Sequence, residues 1–217
     1  MRWLERCWYA WSWQHLFLLP LSGLFFVGRC VRQTLFALHT IKATRLPVPI
    51  IVIGNIHVGG TGKTPLTIWL ANALGAEGIT VGIISRGYGA AIEHPIAVTP
   101  QSNAKEVGDE PLLIAQKTLA PVWVHPKRAL AGQALLKAHP DCQVLICDDG
   151  LQHIALVRDF EIAVVDGARG WGLNALLPAG PLREPRSRLK QVNAIVCNGQ
   201  PLDKLPAHIP HYLMQLQ

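Results

Sequence analysis

The sequence predicts an α/β fold, a mostly parallel sheet with flanking helices, preceded by an N-terminal membrane-associating helical segment. Three observations carry this. Short β-branched apolar runs alternate with stretches of helical spacing, as a parallel sheet requires. A glycine-rich loop joins the first such run to the first such helix. The opening fifty residues combine a long uncharged stretch with most of the net charge.

A chain of 217 residues is long enough for one α/β domain, or for one domain with an appendage. Half of it is hydrophobic, and the mean hydropathy of +0.25 is high for a simple cytosolic enzyme. Of the net charge of +6, residues 1–50 supply +5, from Arg2, Arg6, Arg29, Arg32, Lys42 and Arg45 against Glu5. A basic, apolar, Trp-rich segment fits an anionic membrane surface. Nucleic acid is not expected as a partner, since no basic run interleaved with stacking aromatics follows. The five cysteines form no C-x-x-C pair and read as reduced thiols rather than a disulfide frame or zinc site.

From Cys7 to Gly28 no side chain is charged, and arginines flank both ends. The length approaches the ~20 residues of a spanning helix, but Ser12, Gln14, His15, Pro20, Ser22 and Gly23 dilute it. After the apolar run, Gly28-Arg29-Cys30-Val31 offers no signal-peptide cleavage site. An interfacial helix or broken helical hairpin, with Trp3, Trp8, Trp11 and Trp13 at headgroup depth, is the favoured reading. A true span and a helix packed on the protein's own core are the alternatives. Basic residues at both ends give no orientation bias, so peripheral attachment is expected. Residues 1–45 form this segment, and residues 46–217 the α/β domain.

Within that domain, Val48–Gly54, Ile79–Ser85, Cys142–Asp149, Glu161–Gly167 and Val192–Asn198 read as buried strands, with "HPIAVTP" and "APVWVHP" as shorter ones. Pro65–Ala76, "EPLLIAQKTLA" and "KRALAGQALLKA" have helical spacing. The final "IPHYLMQLQ" reads as the start of a further strand, of a domain that either ends in an edge strand or continues.

The loop "GNIHVGGTGKTP" (Gly54–Pro65) departs from G-x-x-x-x-G-K-[ST] at its first glycine, where His57 stands. Gly59, Gly60 and Gly62 can still turn backbone N–H groups onto a phosphate at a helix N-terminus. Lys63 can reach the β- and γ-phosphates, and the Thr64 hydroxyl can ligate Mg²⁺. The setting is P-loop NTPase-like. Asp148-Asp149, at the end of "QVLIC", stand where such enzymes keep a Mg²⁺-organising carboxylate, and adjacent like charges are costly without a cation. Asp109, in "GDEP", reads by default as the N-cap of the helix that follows, with Pro111 at N1 or N2. Arg183, Glu184, Arg186 and Arg188 read as a solvated basic face, or as a phosphate site with Glu184 reaching a metal.

Together, "PVPIIVIGNIHVGGTGKTP", "GIISRGYG", "VGDEPLLIA", "DDGLQH" and "LLPAGPLREP" resemble, in order and spacing, the tetraacyldisaccharide 4′-kinase (lipid A 4′-kinase) family, across essentially the whole chain. The resemblance implies an ATP- and Mg²⁺-dependent phosphotransferase of lipid A and lipopolysaccharide biosynthesis. It would act on the 4′-hydroxyl of a tetraacylated glucosamine disaccharide 1-phosphate at the cytoplasmic face of the bacterial inner membrane. It implies that His57, Val58, Gly59, Gly60, Thr61, Gly62, Lys63 and Thr64 hold the ATP phosphates. It further implies that Thr64, Asp148, Asp149 and Glu184 organise Mg²⁺, and that Asp109 takes the catalytic-base position with Lys63 assisting. An acylated substrate stays in the bilayer, which gives the apolar segment a purpose.

Family members continue for roughly a hundred residues more, about a small domain, in a second lobe that carries a histidine paired with the base. His125, His153, His208 and His211 do not match that position by motif, so nucleotide binding with weak or no kinase activity is expected of residues 1–217 alone. A membrane-associated P-loop NTPase switch is disfavoured, because Val58 stands where the "KGGxGKT" type has lysine and no N-K-x-D motif occurs. A non-catalytic fragment that binds nucleotide and membrane is the other alternative.

Overall fold

A computed structural model describes residues 7–38, 40–89 and 91–216. Arg2, Trp3, Glu5 and Arg6 of the expected membrane segment lie outside the described residues, as does Gln217. In chain order the elements are α1 (Trp13–Ala37), β1 (Ile50–Gly54), α2 (Lys63–Ala76), β2 (Val81–Ser85), β3 (Ile96–Val98), α3 (Ala104–Val107), α4 (Asp109–Lys117), β4 (Val122–Val124), α5 (Arg128–Ala138), β5 (Val144–Cys147), β6 (Phe160–Asp166), a 3-10 turn (Arg186–Gln191), β7 (Ala194–Asn198) and β8 (His211–Met214). The eight strands make a mostly parallel sheet, as expected. Every expected strand is present, "IPHYLMQLQ" contributing β8. The short α3 was not expected.

The chain divides into two compact units. The core unit comprises Ala43–Gly54 and Gly62–Ile162; the helix unit comprises Met1–Lys42, Asn55–Thr61 and Ala163–Gln217.

In the core unit the strand order is β3-β4-β2-β5-β1. β1–β5, β5–β2 and β2–β4 are parallel, and only β3 runs antiparallel to its neighbour β4. β2 and β5 are buried along their whole length, which is why they carry no charged side chain and read as Val/Ile-rich apolar runs. α2 packs on β1, β2 and α4, and α5 packs on β2 and β4. Ile53, Ile83, Ile84, Leu145 and Ile146 are fully enclosed, each burial stabilising by about 1.5–3 kcal/mol. Register does the positioning. Val52 lies opposite Cys147, so β1 releases the glycine loop at the same sheet edge where β5 delivers Asp148 and Asp149.

In the helix unit β7 and β8 pair in parallel. α1 is one continuous helix of 25 residues that carries Pro20 within it. It is therefore not a broken hairpin, and it runs past Gly28 to Ala37. Ser12 caps it by accepting a hydrogen bond from the His15 amide at 3.3 Å. By length and composition alone the helix could cross a membrane. Its polar residues are placed for another use. His15, Ser22 and Arg29 recur every seven residues, two helical turns, and so return to one face, while Trp8, ahead of the extended Ser12 cap, reaches the same loop. Trp8 Nε1 donates to the Pro178 carbonyl at 2.9 Å, and His15 Nδ1 meets the Ala179 carbonyl at 2.9 Å. Ser22 Oγ donates to the Leu176 carbonyl at 2.8 Å and accepts from the Ala179 amide at 3.0 Å. Arg29 Nη1 meets Glu184 Oε2 at 3.4 Å. Two of the residues that dilute the apolar stretch, His15 and Ser22, thus latch the helix onto the loop 176–184. Trp11, Trp13, Phe17 and Leu24 remain exposed.

Candidate active site

The glycine loop passes from β1 into α2. Gly62, at φ 93°, is the helix N-cap and offers no side-chain cap bond, so the first backbone N–H groups of α2 keep their donor capacity for an anion. Lys63 and Thr64 follow at once and are both buried. Asn55 Nδ2 braces the turn by donating to the Gly59 carbonyl at 3.2 Å and to Thr61 Oγ1 at 3.0 Å.

His57 is explained by packing. It is 3% exposed, and its ring stacks on Trp171 with centroids 5.2 Å apart and planes 19° apart. Burial pushes its pKa below the ordinary 6.5, against the opposing influence of the Gly170 backbone and the Asp166 carboxylate. A neutral, stacked imidazole replaces the flexibility that a motif glycine would have given.

Asp148 and Asp149 differ sharply. Asp148 is fully enclosed. Its Oδ1 accepts from Thr67 Oγ1 at 3.1 Å, and its Oδ2 has no hydrogen-bond partner among the described residues. Burial first, then the charges of Glu110 and Asp149, push its pKa up to about 6, against the pull of Lys63 and the Thr67 hydroxyl. Asp149 is one-third exposed, and its Oδ1 lies 3.5 Å from Lys63 Nζ. Its backbone is left-handed, φ 47°, a conformation Asp tolerates better than most residues. Arg128, at the start of α5 and itself buried, holds that turn: its Nη2 donates to the Asp149 carbonyl at 2.8 Å and reaches the Asp148 carbonyl at 3.5 Å.

Among the described residues no group of three or more His, Cys, Asp or Glu side chains is set to hold a metal ion. The donors in the core unit are two carboxylates and the Thr64 hydroxyl, and this suits Mg²⁺, which is commonly bound through one or two carboxylates plus substrate phosphates. The buried, partnerless Asp148 Oδ2 is the specific mark of fit, since a lone buried carboxylate oxygen is costly without a cation or donor.

Asp109 is not the N-cap. Gly108 takes that place, with φ 91° and no side-chain cap bond, and Asp109 is the first residue of α4, which moves Pro111 to N3. Both Asp109 and Glu110 are exposed. Glu110, rather than Asp109, is the neighbour whose charge acts on Asp148. Glu184 belongs to the helix unit, where it is buried and pairs with Arg29 at 3.4 Å and Arg188 at 3.5 Å. That carboxylate is held by two guanidiniums rather than lying on a solvated face.

One stretch escaped the sequence reading: Asp166 to Trp171, just after β6. Asp166 Oδ1 accepts from the Ala168 and Arg169 amides at 3.0 and 3.2 Å. Trp171 carries His57 on its ring and the Arg186 guanidinium at 4.5 Å from its centroid. The "DGARGW" pattern signals only a turn, and nothing local reveals that it meets the glycine loop. The cysteines carry no chemistry here. All five thiols are free, and burial pushes Cys147 up to about 11, so it behaves as a small hydrophobe.

A β-strand, a glycine loop, a helix opening Lys-Thr, and a carboxylate pair at the end of a parallel neighbour define a protein of the P-loop class. The family model for tetraacyldisaccharide-1-P 4′-kinase matches residues 14–217. A protein named tetraacyldisaccharide 4′-kinase from Methylobacillus flagellatus is 51% identical over 215 residues, covering 99% of this chain and 63% of the relative. One of the same name from Dechloromonas aromatica is also 51% identical, covering 100% of this chain and 64% of its own length. Among solved structures, LpxK from Aquifex aeolicus in complex with ATP superposes with a TM-score of 0.82 at 32% identity, covering 92% of this chain and 64% of that one. The chain belongs to the tetraacyldisaccharide-1-P 4′-kinase family, and spans a little under two thirds of the length of these relatives.

Proposed function

We propose that this chain serves an ATP-dependent kinase that phosphorylates the 4′-hydroxyl of a tetraacylated glucosamine disaccharide 1-phosphate, in lipid A biosynthesis. Family membership supports the reaction class and the acylated disaccharide substrate, and the ATP complex of the Aquifex relative supports the nucleotide. The observation that carries the reading is the core-unit constellation: Lys63 against Asp149, with the partnerless Asp148 carboxylate beside them.

In this reading residues 59–64 receive the ATP phosphates on backbone N–H groups, His57 acting through its packing and Val58 by tying its N–H to the Pro181 carbonyl at 2.8 Å, and Lys63 exchanges Asp149 for phosphate oxygens. Thr64, Asp148 and Asp149 hold Mg²⁺, which when bound neutralises charge on the phosphates. For Glu184 the family motif alone supports a metal role. Asp109, solvent-open at the head of α4, accepts the proton of the attacking hydroxyl. Residues 1–45 form the membrane-associating segment and 46–217 the N-terminal, P-loop lobe of the kinase. The exposed Trp11, Trp13, Phe17 and Leu24 lie in the headgroup region while the latched face holds the loop 176–184. A helix bound on one face through His15, Ser22 and Arg29, with Trp8 just ahead of it, suits peripheral seating at the cytoplasmic face of the inner membrane better than a span.

The test is Mg²⁺-dependent ATP binding and phosphoryl transfer to the tetraacyldisaccharide 1-phosphate, in wild type, Lys63→Ala and Asp109→Ala. Lys63→Ala is expected to lose ATP affinity, and Asp109→Ala to bind ATP normally and transfer nothing. Unchanged affinity in Lys63→Ala refutes the loop assignment. Where wild type transfers the phosphoryl group, an equal rate in Asp109→Ala refutes the base.

A further inference from the structure

The turn after β6 sets an arginine against the glycine loop. A Cβ on Gly59 would lie 2.5 Å from Arg169 Nη1, and Gly59 itself has φ +104°. The positive φ favours glycine at that position, and the end of the Arg169 side chain lies directly against the glycine's backbone. The guanidinium is aimed there by Asp166, whose Oδ2 lies 3.4 Å from Arg169 Nε while its Oδ1 accepts the Ala168 and Arg169 amides. Trp171, two residues on, is stacked on His57 and covered by Arg186, so the turn is pinned on its far side as well. Arg169 remains about half exposed, open to a ligand. An ion pair with a half-exposed arginine contributes little to stability, yet both oxygens of Asp166 are committed to holding this one side chain and its turn. The nearest loop residue is a backbone turn of the kind that takes up phosphate.

We propose that Arg169 is a phosphate-binding residue of the nucleotide site, meeting the polyphosphate of ATP or ADP from the Gly59 side of the loop, with Asp166 as its positioning residue. This rests on the nucleotide reading above. A planar guanidinium offers two parallel N–H donors to one phosphate, a contact distinct from the point charge of Lys63. The acceptor lipid also carries a phosphate, so the two sources must be told apart. Adjacency to Gly59 favours the nucleotide.

The experiment measures equilibrium affinities for ATP, ADP and adenosine, with Mg²⁺, in wild type, Arg169→Ala, Arg169→Lys and Lys63→Ala. Arg169→Ala is expected to weaken ATP and ADP on the order of ten- to hundredfold and to leave adenosine unchanged, with Arg169→Lys recovering part of the loss. Asp166→Asn is expected to weaken ATP by a smaller factor, and raising ionic strength to narrow the gap between wild type and Arg169→Ala. If Lys63→Ala weakens ATP and Arg169→Ala does not, the proposal is wrong while the nucleotide reading stands. Unchanged ATP affinity in Arg169→Ala with a raised KM for the acceptor assigns the arginine to the lipid phosphate and overturns the nucleotide assignment. If neither variant changes the affinity for ATP or ADP, the nucleotide reading and the proposal fall together.

Discussion

Replacing Asp148 by asparagine should change stability in a way that depends on pH, and the size follows from burial. The folded-state pKa of Asp148 is about 6 against an ordinary 3.8, a rise of about two units, or about 3 kcal/mol at roughly 1.36 kcal/mol per unit. The raised value means the native state binds the proton more tightly than the unfolded chain. Below pH 3.8 both states are protonated and the group imposes no ionisation cost. As pH rises from there through about 6, the unfolded chain ionises first and stability falls; above that the whole cost of about 3 kcal/mol is in place. The neutral amide of D148N carries no such cost, but it must find an acceptor where Oδ2 had no partner, a pH-independent loss of about 1–3 kcal/mol. The clean quantity is therefore the difference between two pH values. Without Mg²⁺, D148N minus wild type should be about 1–2 kcal/mol more favourable at pH 8 than at pH 5. Urea unfolding followed by tryptophan fluorescence at both pH values measures it. The same difference at pH 5 and pH 8, or a difference of opposite sign, would refute the claim that burial penalises the ionised form of Asp148. Mg²⁺ with ATP should then stabilise wild type and not D148N.

Glu110→Gln removes the largest charge contribution raising Asp148. The pH at which Mg²⁺-dependent ATP binding is half lost on acidification should move down, as a titration of ATP affinity against pH would record. His57→Gly restores the motif glycine but deletes the ring stacked on Trp171, and should lower stability by about 2–4 kcal/mol in thermal or urea unfolding. His57→Phe keeps the stack. Because burial depresses the His57 pKa, the stability held by the neutral ring is present above 6.5 and lost as pH falls through the lower folded value; His57→Phe should be spared that part of the acid loss. Ser22→Leu removes the partner of both the Leu176 carbonyl and the Ala179 amide, and should cost about 2–3 kcal/mol of unfolding free energy. Leu24→Ser, on the exposed face, should leave stability within about 0.5 kcal/mol while weakening flotation with anionic vesicles.

Local pattern was enough to read the strands, the glycine loop, Lys63-Thr64 and the carboxylate pair, because each is written in consecutive residues whose period or φ demands are intrinsic. The limits of that reading are equally specific. Asp109 looked like a cap, but the backbone of Gly108 takes the cap position and turns Asp109 into the first helical residue. Ser22 and His15 looked like dilution of an apolar run; their seven-residue spacing was legible, but the loop carbonyls they bond lie more than 150 residues away in the chain. His57 looked like a departure from a motif until Trp171 supplied the ring beneath it.

Periodicity, turn chemistry and the phosphate-loop motif therefore came from the chain itself, since they depend on interactions within a few residues. The partners of His57, Ser22 and Arg29, the charge that Glu110 brings to Asp148, the Arg128 grip on the Asp149 turn and the approach of Arg169 to Gly59 depended on folding. Each is a meeting of segments far apart in sequence, set by strand register and loop closure, and both are properties of the packed sheet that no single segment encodes.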